Sequence, residues 1–130
     1  VQTELLDLAT TSPNDKQAAM GQITYSMGPV SFGYGEWYTN EKDAGVDYST
    51  DAYSIAFAVS DDLSLSYGNM EDTREADGAT AALTAEMTSY QAAYTMGSMA
   101  IKFAHTDTDN GYHSSNTSAE NTEIAVVFSF

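Results

Sequence analysis

The chain has 130 residues, no cysteine, and a formal net charge of −15, from four Lys and Arg against 19 Asp and Glu. The missing cysteines exclude disulfides and thiolate metal sites, and the acidity argues against a nucleic-acid partner, which needs a basic footprint. Nine Tyr, five Phe and one Trp argue against disorder, and no apolar run reaches the ~18 residues of a membrane helix.

Residues 1–10, VQTELLDLAT, have a mixed pattern. Val1, Thr3 and Leu5 alternate, but Leu6 and Leu8 break the phase, so the segment is as compatible with a strand as with a loop. Thr11 to Lys16 is a loop by composition. A regular hairpin follows. Ile23, Tyr25 and Met27 alternate with small or polar residues up to a Gly28-Pro29 turn, and Val30, Phe32 and Tyr34 alternate after it. Met27 and Val30 flank the turn, so they stand opposite each other on one face. Trp37 and Tyr38 close this strand, and Asn40 to Ser49 reads as a polar loop.

The plan then repeats. Tyr53, Ile55, Phe57 and Val59 run to a turn at Asp61-Asp62, and Leu63, Leu65 and Tyr67 return. Residues 70–85 read as a longer acidic loop. Tyr90, Ala92, Tyr94 and Met96 run to Gly97-Ser98, and Met99, Ile101 and Phe103 return. His105 to Asn121 reads as another polar loop, and a last strand carries Ile124, Val126, Phe128 and Phe130 in alternation. Tight turns near residues 28, 61 and 97, with the last residue at 130, give a repeat of about 33–36 residues. Every tight turn lies on one edge and every long loop on the other. The chain thus reads as a single all-β domain over 1–130, an antiparallel up-and-down meander of seven or eight strands.

The two faces of each strand differ in an informative way. One carries Ile, Leu, Val, Phe, Met and Tyr; the other carries Ser, Gly, Ala, Thr and Gln. A soluble sandwich would place charged residues on its outward face. A small, nearly uncharged second face suits the interior of a barrel instead. Aromatic residues gather toward the strand ends, with Tyr34, Trp37, Tyr38 and Tyr53 near the loop edge and Tyr94, Phe128 and Phe130 near the turn edge. Rings at both rims of an apolar band suit the two interfaces of a bilayer. A transmembrane β-barrel is therefore expected, since a sheet in lipid must close to satisfy its backbone. Glu36 departs from the pattern because its parity places it on the apolar face; either a bulge at Gly33 or Gly35 shifts it, or it sits at the upper interface.

The hairpins ITYSMGPVSFGYGEWY and YTMGSMAIKFAHTDTDN, with the TEIAVVFSF ending, resemble the C-terminal half of a Gram-negative general porin of the alphaproteobacterial type. The resemblance spans roughly residues 18–130. It implies a place in a sixteen-stranded, homotrimeric barrel in the cell outer membrane, with short periplasmic turns and long outer loops. It also implies that Ile124, Val126, Phe128 and Phe130 form the terminal signal read by the barrel-assembly machinery. Porins of this type are about twice this length, so the chain is expected to be part of a longer barrel. The function implied is passive diffusion of small hydrophilic solutes and ions through a water-filled channel. The alternative is a small eight-stranded barrel complete in this chain, acting as an anchor or adhesion scaffold.

Lys102 is the most informative single residue, the one fixed cation inside a regular strand and on the inner face by parity. It reads either as a pore-wall charge or as a lysine that snorkels or pairs with a carboxylate in the wall. Gln22, Thr24, Gln91, Thr95 and Glu123 are expected to line the same lumen. No nucleophile motif surrounds the serines, and Asp61-Asp62 reads as a turn, so no enzyme is expected. Asp107 and Asp109, with His105 and His113, are weak metal candidates in a segment that lacks the spaced glutamate of an EF-hand. No cofactor is expected beyond Ca²⁺ or Mg²⁺ bridging acidic outer loops to lipopolysaccharide phosphates. Outer-membrane lipid and lipopolysaccharide are the expected surroundings.

Overall fold

The computed structural model describes residues 2–6, 16–41, 46–78 and 80–129. They form β1 (Gln2–Leu6), β2 (Lys16–Met27), β3 (Val30–Glu41), β4 (Tyr48–Ala58), β5 (Leu63–Arg74), β6 (Leu83–Met96), β7 (Met99–Asp109) and β8 (Ser118–Phe128). A short 3₁₀ turn, Gly111–His113, interrupts the β7–β8 loop. The ambiguous first segment is thus a five-residue strand, beside seven strands of 11 to 14 residues. Phe130 and the 11–15 part of the first loop lie outside the described residues.

The strands lie in sequence order, β1 to β8, in one antiparallel sheet. Among the described residues, β1 pairs only with β2 and β8 only with β7. The tight turns follow from their residues. Gly28 and Gly97 have φ of +58° and +60°, the left-handed first position that a type II′ hairpin turn needs and glycine supplies at no steric cost. Met27 then pairs with Val30 and Met96 with Met99, as the alternation requires. At the middle turn the amide of Val59 donates to the Leu63 carbonyl (2.8 Å), and the Ser60 hydroxyl accepts from the amides of Asp62 and Leu63.

Each ladder keeps one register from end to end, from Lys16↔Glu41 to Met27↔Val30 and from Met99↔Phe128 to Asp109↔Ser118. A bulge would offset that register. Glu36 therefore stays on the apolar face, opposite Gly21 and Asp51; no bulge occurs at Gly33 or Gly35, and the residue lies at the upper end of that face, above Tyr34, as the second reading has it. The long-loop edge also differs from the sequence reading. Asn40–Glu41, Tyr48–Ser49, Met70–Arg74, Leu83–Ala85, His105–Asp109 and Ser118–Asn121 are strand, not loop. Polar residues continue the ladders there because their side chains bond across them. Thr50 Oγ1 donates to Asp72 Oδ1 at 2.6 Å, Thr73 and Thr84 hydroxyls meet at 2.8 Å, and Asn69 Nδ2 donates to Glu86 Oε1 at 2.8 Å.

No apolar residue among the described ones is buried. Met27 stays 63% exposed, Phe32 47%, Leu65 44% and Phe128 57%. A single-layer sheet has no second layer to cover its apolar face, whereas water-soluble domains bury theirs between layers.

Candidate functional site: the two faces of the sheet

The constant registers sort every strand residue onto one of two faces. The apolar face carries Val30, Phe32 and Tyr34 on β3, Tyr53, Ile55 and Phe57 on β4, Leu65 and Tyr67 on β5, and their counterparts on the other strands. Its upper boundary is a row of tyrosines. Tyr34 pairs with Tyr53, and Tyr67 with Tyr90. The rings of Tyr53 and Tyr67 are 6.0 Å apart and those of Tyr67 and Tyr90 5.2 Å apart, both tilted, a geometry that adds to their burial of area. Tyr34 Oη donates to Asp51 Oδ1 at 3.0 Å, and Tyr38 Oη to Asp47 Oδ2 at 2.9 Å. Tyr94 sits toward the turn edge, between Leu63 and Ile101.

Tyr67 and Tyr90 belong to this belt although they sit mid-strand in the sequence pattern, where parity alone already placed them beside Tyr53. Trp37 does not belong to it. Trp37 and Tyr38 are adjacent and therefore point to opposite faces. The Trp37 ring lies across Gly35 on the second face, where an added Cβ would come within 2.8 Å of it. Replacing Gly35 by alanine is expected to push the indole outward. Since Trp37 is the sole tryptophan, a red-shifted emission with unchanged far-ultraviolet dichroism checks this; an unmoved spectrum counts against the contact.

Directly above the tyrosines the same face turns acidic. Glu36, Asp51, Glu71, Glu86 and Asp109 stand opposite one another in turn across β3 to β7. Like charges directly opposite on a sheet repel. Glu71→Gln is therefore expected to raise stability by about 0.2–1 kcal/mol at low salt, with the gain fading near 1 M salt, where the screening length is ~3 Å. A denaturant titration at two salt concentrations reads it.

The second face is small and mostly uncharged. All six residues expected to line a lumen lie on it: Gln22 and Thr24 on β2, Gln91 and Thr95 on β6, Lys102 on β7 and Glu123 on β8. Lys102, Gln91 and Glu123 share an open depression of about 340 Å³ with Ser64, Ser66 and Ala93. Lys102 stands between Ala93 and Ala125, and no ion pair to it occurs among the described residues. The wall-paired reading of this lysine is thus not what the structure has. Gln22, Thr24 and Thr95 lie on the same face outside that depression.

The metal candidates do not converge. Asp107 and Asp109 are strand residues on the apolar face, and His105 Nε2 lies 3.2 Å from Asp107 Oδ2. His113 points to the second face and meets Asp72 instead, at 3.2 Å. Among the described residues, no three His, Asp or Glu side chains form a group able to hold a metal ion.

These features define the class as an antiparallel up-and-down β-sheet with one apolar and one small polar face. No protein-family model, curated protein or solved structure matches the chain.

Proposed function

We propose that this sheet is the wall of an outer-membrane porin-type barrel, with the apolar face toward lipid and the second face toward a water-filled channel for small hydrophilic solutes and ions. The observation that carries the reading is the clean division of the two faces along unbroken registers. On one side an apolar band ends in a tyrosine belt; on the other, Ser, Ala, Gly and Thr surround a lysine with no ion pair among the described residues. A soluble sheet with this much apolar exposure would aggregate, whereas lipid makes the same face an asset. The strand lengths fit the ~9–11 residues of a tilted crossing, with the acidic upper ends standing beyond the apolar band. Transport needs no reaction and no cofactor; the lumen sorts solutes by size, and its wall charges bias ions.

In this reading the tyrosine belt marks the outer interface, and the acidic row above it faces the lipopolysaccharide headgroups. The tight turns face the periplasm, and the alternating strand β8 serves as the assembly signal. The complete barrel has more strands than this chain supplies and assembles as a trimer. Planar-bilayer recording of the complete barrel, refolded, tests the proposal. Stepwise, stable conductance is the expected result. A protein that inserts into bilayers but never conducts would instead be an eight-stranded anchor, since such a barrel is filled by side chains.

A further inference from the structure

We infer that the β7–β8 loop is a strap drawn sideways across the second face and fastened by His113 on Asp72, narrowing the space over the upper ends of β4 to β6. A loop joining neighbouring strands needs no contact beyond those two strands. This one leaves β7 at Asp109, re-enters at Ser118 and reaches much farther. Nε2 of His113 lies 3.1 Å from the main-chain oxygen of Asp72 and 3.2 Å from its Oδ2. Both neighbours are acceptors, so Nε2 carries the hydrogen and donates. The His113 ring also packs on Tyr48, with centroids 5.4 Å apart.

Asp72 is on β5 and Tyr48 on β4, two and three strands from β7. At the usual strand spacing that is a reach of about 10 and 14 Å. By register both residues belong to the face of Lys102, so the loop crosses β6 on that side.

The foot of the strap is pinned as well. Asn110 Nδ2 donates to the Thr84 carbonyl at 3.1 Å, and Asn110 Oδ1 accepts from the amide of Asn116 at 3.3 Å. Asn110, Tyr112, His113 and Asn116 all adopt φ between +51° and +63°. Non-glycine residues hold that conformation where their surroundings fix it. The His113 side chain is 15% exposed, while Tyr112 beside it is fully exposed. The bend therefore delivers His113 to Asp72 and leaves Tyr112 at the tip. Thr50 steadies the other end, since its hydroxyl holds Asp72 Oδ1.

Ala85 pairs with Asp72 and so stands between Asp72 and the foot of the strap. The chain has no cysteine, so Ala85→Cys gives a single thiol whose rate of maleimide labelling reports how often the strap lifts. In the refolded full chain, adding His113→Ala is expected to speed labelling about tenfold, the factor that one part-buried hydrogen bond commonly represents. His113→Gln retains a donor and is expected to stay near the parent rate. Asp72→Asn keeps the main-chain acceptor and is expected to fall between. Should His113→Ala not refold, Tyr48→Leu in the same background removes the ring contact and is expected to speed labelling too. Equal rates with and without the substitution, in whichever variant refolds, overturn the strap. Its effect on solute passage rests on the channel reading. Labelling needs no current, so a strap without conductance and a conductance without a strap are separate results.

Discussion

Leu65→Arg is expected to cost the lipid-embedded fold about 2–4 kcal/mol, the usual penalty for a cation on the lipid face near the bilayer midplane. The same change one residue on, Ser66→Arg, is expected to cost less than about 1 kcal/mol, because a lumen position leaves the guanidinium in water. The two residues share a strand and a depth and differ only in face. Leu65 stands between Phe57 and Ala92, and Ser66 between Ala56 and Gln91. Urea titration of the protein refolded into phosphatidylcholine vesicles, followed by the emission of Trp37, compares them directly. Equal costs would remove the basis for assigning one face to lipid. A larger cost at Ser66 would exchange the faces.

The second large effect is electrical. Lys102→Glu is expected to move the reversal potential in a salt gradient toward cation selectivity. In water, a unit charge ~8 Å from a passing ion contributes about 0.5 kcal/mol, so reversing the sign changes the ion's energy by about 1 kcal/mol. That corresponds to about a fivefold change for each ion and, because cation and anion move in opposite directions, roughly a thirtyfold change in the permeability ratio. Among the described residues no carboxylate pairs with the lysine, which makes the effect legible. Glu71→Gln is the control: it changes the overall charge by a single unit, half the step made by Lys102→Glu, and lies on the opposite face, and its expected effect on reversal potential is nil. A shift with Glu71→Gln and none with Lys102→Glu would put the acidic row, not the lysine, beside the conduction path.

The same control explains why the net charge of −15 is a poor guide to the charge of either face. Most strand carboxylates lie on the apolar face above the tyrosines. From β4 to β8 the second face carries Asp72 and Glu123 against Arg74 and Lys102. Composition counts both sides together; only register separates them.

Register is also where sequence and structure agree best. Period-two alternation located the turns, paired Met27 with Val30 and Met96 with Met99, and placed all six lumen candidates on one face. That information is local, because each strand states its own phase. The upper ends of the strands were illegible for the opposite reason. From Asn69 to Arg74 and from His105 to Asp109 apolar alternation stops, and composition imitates a loop. What holds these segments extended is partners 20 or so residues away, such as Asp72 for Thr50 and Glu86 for Asn69. Glu36 has its explanation in the neighbours too. By parity alone it is an exception that calls for a bulge or a place at the upper interface; with five strands aligned it begins a row of acids. The Trp37 error was avoidable, since adjacent residues of a strand cannot share a face and Gly35 two positions earlier leaves room for its ring. The contact of His113 with Asp72 spans 41 residues and leaves no periodic trace.

The lack of any buried apolar side chain among the described residues changes what mutation can do to this protein. In an ordinary interior, a shortened side chain leaves a void that its neighbours cannot fill, and the void dominates the damage. Here the neighbours of Leu65 or Phe103 on one side are a fluid, whether lipid or water, and a fluid closes over a missing methyl group. Size and branching should therefore drift freely on the apolar face, while polarity should be held tightly, position by position, according to depth. Two proteins sharing this wall can thus diverge until few identical residues remain while keeping the same alternation of oily and small.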